Sequence, residues 1–426
     1  MTAHTNGAGA RLRPHKRLRI LFLTPRFPWP LIGGDRIKSY HLLRHLARRQ
    51  EVTLVAFNHG GPADDSQRAA MADIGVELYD VPLNPVAAGL RSVGSLFNGL
   101  PLEIAFYTQP EFTRIVDELC ATRKFDLGVA FFMRTAEYLR KRPFKKLLIA
   151  EDCRLMYQSR SSEASESFKQ RLVRQWEVRR LQRYEPAVAD DFDCTSLVTN
   201  EDIAAMRRQN PNALYALLTN GVELDVFSPN FDMAVRAGLL FAGKLDVYAN
   251  DQMARAIVRD ILPAVRAAQP GTTLSIVGSR PRPAVQRLAG EGVEIHPNVP
   301  SFTPYLQSAA VFLHPHKGAS GIQNKILQAM ACGCPVVTSP TGIQGIAARH
   351  GGEVMIAHTE EDYARHVVTL LHEPKLAEQL ARNARKVVEE HHSWAAIDAA
   401  LDNIIAGIFP ENTPKNSAIQ DVREIL

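Results

Sequence analysis

Between His314 and Gly333 the chain reads HPHKGASGIQNKILQAMACG. An apolar strand, Val311–His314, ends there. Gly318 and Gly321 free the backbone, and a helix follows from about Ile322 to Cys332, stopped by Gly333. A strand that passes through a glycine turn straight into a helix aims unpaired backbone N–H groups and the positive helix end at one point, which suits a phosphate. Lys317 and Lys325 flank the turn and can add charge-assisted hydrogen bonds. A second glycine loop, Gly33–Gly34, precedes the first helix of the chain, with Arg26 and Arg36 nearby. Two such loops on opposite walls fit a nucleoside diphosphate better than a dinucleotide. Neither G-x-G-x-x-G nor G-x-x-x-x-G-K-[ST] follows the opening strands, which argues against NAD enzymes and ATPases.

Other groups carry weaker chemistry. Asp152, in AEDCR after the apolar Leu147–Ile149, falls at the edge of a first sheet, where it can bind an acceptor hydroxyl or cap a helix. Arg134 and Tyr138 are acceptor candidates of the same kind. Cys332-x-Cys334 lacks a companion pair at zinc spacing, so no metal site is expected. His314 and His316 read as strand-end residues, and Trp176, on the charged helix Ser165–Glu185, reads as packing.

The elements that must position these groups fall into two sets. In the first half Leu18–Leu23 is a strand, Thr24–Gly34 a Pro/Gly-rich loop, Asp35 the N-cap of a helix, and Val52–Phe57 the next strand. In the second, Leu239–Ala242 is a strand, Gly243 opens a loop into a helix at about Asp251–Ala268, and Thr273–Val277, Val311–His314 and Pro335–Thr338 are further strands. Strand, glycine loop, helix, strand is the opening of a doubly wound α/β sheet. Two sets imply two Rossmann-like domains facing a cleft. The predicted boundaries are a flexible basic leader over 1–17, an N-terminal domain over 18–222, a linker over 223–237, a C-terminal domain with terminal helices over 238–408, and a polar tail over 409–426.

The chain has 426 residues, 46% hydrophobic and 22% charged, which is ordinary globular composition. Net charge is +5, divided as +8 up to Val222 and −3 beyond it. Arg11, Arg13, Lys16, Arg17 and Arg19 form one basic cluster, and Arg140, Lys141, Arg142, Lys145 and Lys146 another. Such asymmetry points to an anionic partner for the first half. No recognised nucleic-acid-binding module accompanies these clusters, so nucleic acid is not the expected partner. Five scattered cysteines make no disulfide framework and indicate a reducing, cytoplasmic compartment. No apolar run approaches the length needed to span a bilayer, and the N-terminus has no signal-peptide core.

RFPWPLIGGDRIKSYHLLRHLARR at 26–49, TNGVELDVFSP at 219–229, LLFAGKLDVYAND at 239–251 and GIQNKILQAMACGCPVVTS at 321–339, in that order, resemble glycosyltransferase family 4. These are retaining nucleotide-sugar transferases of the GT-B fold, and the resemblance is greatest to the bacterial sugar transferases of exopolysaccharide and PEP-CTERM systems. It covers about Leu18 to Ile408.

The resemblance implies a donor held mainly by the C-terminal domain, with no metal or other cofactor. Lys244 and Lys325 would meet the donor phosphates as the catalytic cations, and Lys317 would lie beside them. The backbone of Gly321 and Ile322 would contact the diphosphate, Gln328 the ribose, and Ser279 and Val299 the base. Gly33 and Gly34 would close from the other wall. Two glutamates common in the family are here Ser320 and Gln328, and Gln328 carries no charge. The reaction implied is same-face attack by a glycan or lipid-linked acceptor, the leaving phosphate helping to take the proton. The basic clusters would then touch the anionic inner face of a membrane. A nucleotide-sugar epimerase on the same fold and an inactive partner protein are the alternatives.

Overall fold

A computed structural model describes residues 17–94, 99–163, 168–318 and 321–410. The predicted leader, except Arg17, most of the tail and Ser320 lie outside the described residues.

Among the described residues the first domain is built on a seven-stranded parallel sheet in the order β3-β2-β1-β4-β5-β6-β7. Its strands are β1 Arg19–Thr24, β2 Glu51–Asn58, β3 Glu77–Pro82, β4 Leu127–Phe131, β5 Lys145–Glu151, β6 Cys194–Leu197 and β7 Tyr215–Leu217. Its helices are α1 Gly34–Ala47, α2 Asp65–Asp73, α3 Pro85–Val93, α4 Leu102–Tyr107, α5 Pro110–Thr122, α6 Arg154–Glu163, α7 Phe168–Asp190 and α8 Asn200–Gln209. A short 3-10 helix, Met133–Tyr138, follows β4. Central strands such as Ile20–Leu23 are apolar without alternation because helices cover both faces of the sheet.

The second domain carries a six-stranded sheet, β10-β9-β8-β11-β12-β13. Its strands are β8 Leu239–Ala242, β9 Leu274–Gly278, β10 Val293–Pro297, β11 Val311–His314, β12 Val336–Thr338 and β13 Met355–Ile356. Helices α9 Tyr248–Ala256 and α10 Leu262–Ala268 are joined by a π turn at Ile257–Ile261; α11 is Pro283–Gln286, α12 Thr303–Ser308, α13 Asn324–Ala331, α14 Glu360–His372, α15 Pro374–His391 and α16 Trp394–Ile408. In both sheets the strand order reverses beside the first strand of the domain, between β1 and β4 and between β8 and β11. Such switch points open crevices at the carboxyl ends of the strands, where doubly wound folds bind ligands.

The last helix packs on the first domain. Trp394, Ile397, Leu401 and Ile408 of α16 join the core that holds Leu42, Leu43 and Leu46 of α1. The His41 ring stacks on Trp394 at 3.9 Å, and His45 binds Asp398 at 3.2 Å and Asp402 at 2.8 Å.

Three sequence expectations change. Helix α1 is capped by Gly33, not Asp35, because φ of +105° there turns the chain two residues earlier. Asp35 falls in the first turn and binds Arg26 at 2.8 Å. Helix α9 begins at Tyr248, three residues before the expected Asp251. The cluster at 140–146 is largely neutralised internally. Arg140 pairs with Glu137 and Asp191, Arg142 with Asp117, and Lys145 with Asp193, while Lys146 donates to the carbonyls of Arg140 and Arg142.

Candidate active site

The loops after β8 and β9 meet backbone to backbone. Gly243 N donates to Val277 O at 2.9 Å and Leu245 N to Ser279 O at 2.8 Å. A Cβ on Gly278 would fall 1.7 Å from the carbonyl oxygen of Gly243, so no side chain fits there. Buried Asn250 donates to Lys244 O at 2.8 Å and fixes the turn that presents the exposed Lys244 side chain.

The turn after β11 leads into α13 at Asn324. Its N-cap, Gln323, makes no side-chain capping bond, so among the described residues no capping side chain occupies the first amides of the helix. The Lys325 side chain runs over the neighbouring loop, with Cε 3.3 Å from where a Cβ on Gly243 would stand. The Lys325 side chain therefore lies against the loop that carries Lys244. Gln328 stands one turn further along α13, half-buried. Gly321 has φ +96° and open space where a side chain would be, while Ile322 is buried against the loop around Gly345.

Ser279 and Val299 are half-buried on adjacent loops. Arg280 (φ 52°) and Asn298 (φ 53°) are both left-handed, and Arg280 N donates to Asn298 Oδ1 at 3.1 Å. Strained backbone of this kind clusters at ligand sites.

Residues 236–373, which hold Lys244 and all of α13, match the family model described as "Glycosyl transferases group 1". Over this stretch the chain is similar to group 1 glycosyl transferases. The whole chain has the GT-B glycosyltransferase fold. It resembles sucrose-phosphate synthase from Thermosynechococcus elongatus (TM-score 0.67, 18% identity, covering 93% of this chain and 100% of that one). It also resembles Anabaena HepE in complex with UDP (TM-score 0.63, 14% identity, 91% and 100%). A third likeness is to a UDP-forming trehalose-phosphate synthase from Burkholderia xenovorans (TM-score 0.61, 13% identity, 93% and 100%). A Klebsiella pneumoniae protein described as an uncharacterized 44.6 kDa protein in the cps region is 22% identical over 183 residues, 41% of this chain and 45% of that protein. The chain thus spans under half the length of that relative.

In the same stretch burial lowers the Lys325 pKa, and no carboxylate pairs with it among the described residues. His314, at the end of β11, is wholly buried with both ring nitrogens lacking hydrogen-bond partners. Burial, then the nearby Lys325 charge, push its pKa well down and keep it neutral. Lys317 is not brought into this cluster: it is exposed and ion-paired to Glu360 at 2.8 Å.

On the facing wall, Gly34 approaches α13 closely. A Cβ on Gly34 would lie 2.6 Å from Asn324 Nδ2, and Asn324 Oδ1 accepts from Asn220 Nδ2 at 3.0 Å. Arg36 has a buried Nε with no hydrogen-bond partner and no paired carboxylate among the described residues. Behind it, Lys38 of α1 is buried, bonded to Glu151 at 2.5 Å and to Leu218 O at 2.8 Å. Burial lowers Lys38 and raises Glu151, and their mutual attraction opposes both shifts.

The three acceptor candidates separate. Tyr138 is buried, donating to Tyr107 O at 2.5 Å and accepting from Gln109 N at 2.8 Å, so its hydroxyl is committed to structure. Arg134 pairs with Glu103. Asp152 lies 3.4 Å from Arg154 and does not cap α6; Glu185 does, accepting from Arg154 N and Leu155 N. Sequence reasoning missed Lys38–Glu151, Asn220–Asn324 and Glu185. Asn220 and Asn324 sit inside motifs that were legible, TNG and QNK, while nothing local marks the pairing of Lys38 with Glu151.

Proposed function

We propose that this protein is a retaining glycosyltransferase that moves a sugar from a nucleoside-diphosphate donor to a hydroxyl of a glycan or lipid-linked acceptor, without a metal ion. Lys325 carries the reading. It is a half-buried lysine with no carboxylate partner among the described residues, laid over the Lys244 loop at the start of α13. A partly desolvated cation kept without a counter-charge fits a site whose anion arrives with the substrate.

Breaking the bond between the anomeric carbon and the β-phosphate oxygen leaves negative charge on that phosphate. Lys244, Lys325 and the first amides of α13 face it, and they bind it more strongly as the charge grows. Arg36 adds a cation from the opposite wall. The acceptor attacks on the face the phosphate leaves, and its proton passes to a phosphate oxygen, so no pair of carboxylates at glycosidase spacing is required. Ser279 and Val299 would hold the base, Gln328 the ribose, and the amides of Gly321 and Ile322 the diphosphate. That Anabaena HepE is a complex with UDP makes UDP the first nucleotide to try, and the cps-region relative supports a part in exopolysaccharide assembly.

Calorimetric titration with UDP, GDP and ADP, each with EDTA and with Mg²⁺, tests the donor half of this reading. Micromolar binding of one nucleotide in EDTA is expected. Absence of binding to all three would move the chain to the inactive-partner reading.

No described helix is long and apolar enough to cross a membrane. Peripheral contact with an anionic leaflet, at the cytoplasmic face, falls to the basic N-terminus. Deleting residues 1–17 should weaken binding to phosphatidylserine vesicles while nucleotide affinity holds.

A further inference from the structure

A groove of about 440 Å³ lies between α4, α6 and α7, within the size range of small-molecule sites. Leu102, Glu103, Arg154, Tyr157, Arg174 and Glu177 line it. It takes no part in the donor chemistry above. Arg154 donates to Glu103 Oε2 at 2.6 Å and lies 4.9 Å over the Tyr157 ring, and Arg134 engages Glu103 Oε1. Both arginines are thus held by the one Glu103 carboxylate.

Two buried carboxylate oxygens in this region have no partner among the described residues, and Glu177 is the one of the pair that lines the groove. Glu177 is only 7% exposed, and its carboxylate accepts from the backbone of Leu102 and Glu103 at the start of α4, yet its Oε2 is buried without a partner. Asp152, beside Arg154, likewise has a buried Oδ1 with no partner. Burial raises the pKa of both. Unpaired buried acceptors are rare in folded proteins, and a ligand that completes them must bring hydrogen-bond donors. An ionised phosphate brings none. Sugar hydroxyls donate as well as accept, and a sugar ring can lie on Tyr157 and Leu102.

Glu103 and Arg154 of the groove also line a small neighbouring pocket with Phe132 and Arg134. Phe132 (φ 63°) and Glu151 (φ 71°), at the carboxyl ends of β4 and β5, hold left-handed backbone at a cost that bulky residues rarely bear outside functional sites. Strand β4 is the neighbour of β1, whose following loop carries Gly34. The His59 ring lies 3.1 Å from Pro25 O, in the loop that leads to Gly34, and 6.0 Å from the Tyr107 ring, over which Arg134 sits at 5.3 Å.

We propose that this groove is the acceptor subsite and that it takes a neutral, hydroxyl-rich sugar end rather than a phosphate or other anion. The proposal rests on the transferase reading. Saturation-transfer NMR and calorimetry on the full chain, with maltose, cellobiose and glucose 6-phosphate as probes and UDP titrated in parallel, test it. At least one disaccharide should bind, glucose 6-phosphate should bind more weakly, and Tyr157→Ala should weaken the disaccharide about tenfold or more. Tyr157→Phe, which keeps the ring, should restore most of that affinity. Glu177→Leu should abolish binding, and Glu177→Gln, which keeps an acceptor oxygen, should recover part of it, with thermal melting reporting that each variant is folded. Tighter binding of glucose 6-phosphate, no binding of either disaccharide, or binding indifferent to folded Tyr157 and Glu177 variants overturns the assignment. Disaccharide binding without nucleotide binding would keep the groove and sink the transferase reading; nucleotide binding without disaccharide binding would do the reverse.

Discussion

Gly34 and Asn324 meet across the cleft at a distance that leaves no room for a methyl group, since a Cβ on Gly34 would lie 2.6 Å from Asn324 Nδ2. Gly34→Ala should displace the Asn324 side chain, break its bond to Asn220, and move the start of α1 away from α13. A shift of about 1 Å costs up to about a hundredfold in rate. The expected outcome is a loss of kcat/KM of that order with little change in melting temperature, and partial recovery in Gly34→Ala/Asn324→Ala. Unchanged kinetics in the single variant would show that the two loops do not close on the donor together.

Lys325 and Lys244 should each be worth about 2–4 kcal/mol of transition-state stabilisation, a fall in turnover of roughly 30- to 900-fold on replacement by Ala. Full turnover in both variants would remove the phosphate assignment.

Stability should move the other way for Lys325. Its folded pKa is depressed by burial, so between that value and its ordinary one, 10.5, the unfolded chain binds more protons and stability rises with pH. Below the depressed value the penalty for burying the charge is complete. Lys325→Met should therefore stabilise the nucleotide-free protein by about 0.5–2 kcal/mol, with the gain shrinking as pH climbs toward 10.5. Saturating nucleotide should erase or invert the gain. Denaturant melts at several pH values, with and without UDP, read all of this.

His45 gives a pH dependence of opposite sense. Its bonds to Asp398 and Asp402 raise its pKa to about 9. The stabilisation, about 2–3 kcal/mol, is fully present below about 6.5 and is lost as pH rises through about 9. His45→Gln should be less stable than the parent at pH 6 and indistinguishable from it at pH 10. An equal deficit at both values would show that the imidazole contributes by packing alone.

Tyr138→Phe should cost about 1–2 kcal/mol of stability, because it strips partners from Tyr107 O and Gln109 N in a buried setting. Acceptor KM should not change. A raised KM at unchanged stability would return this tyrosine to the acceptor site.

What could be read from the sequence was local. The strands β8 and β11 fall where their uninterrupted apolar runs begin and end, because both faces of each strand are buried. Gly34, Lys244 and Lys325 were legible because a glycine or lysine beside a strand end has few other uses. Asp35 was misjudged as a cap because a neighbouring glycine with positive φ can start a helix with no side-chain cap. Lys317 and the 140–146 cluster looked free because counting charges along a chain does not reveal the carboxylates that the topology delivers, Glu360 to one and Asp117, Asp191 and Asp193 to the other. Asn220 is 104 residues from Asn324, and Lys38 is 113 positions before Glu151; their meeting is a property of the sheet order, which spacing along the chain does not carry.

The chain passes from one domain to the other twice, once near Val222 and again near Ser393, where α16 returns to α1. The two crossings are bridged side by side, Val222 N donating to His392 O at 2.8 Å and Val222 pairing with Ser393. A single tether would let the halves twist and slide as well as part. Two tethers fastened together act as a door hinge, leaving rotation about the line through them as the easy motion. Lys325 and Gly34 can then separate to admit a donor and return to the same register each time, and the cost of aligning the two walls is met once, on folding, instead of at every turnover.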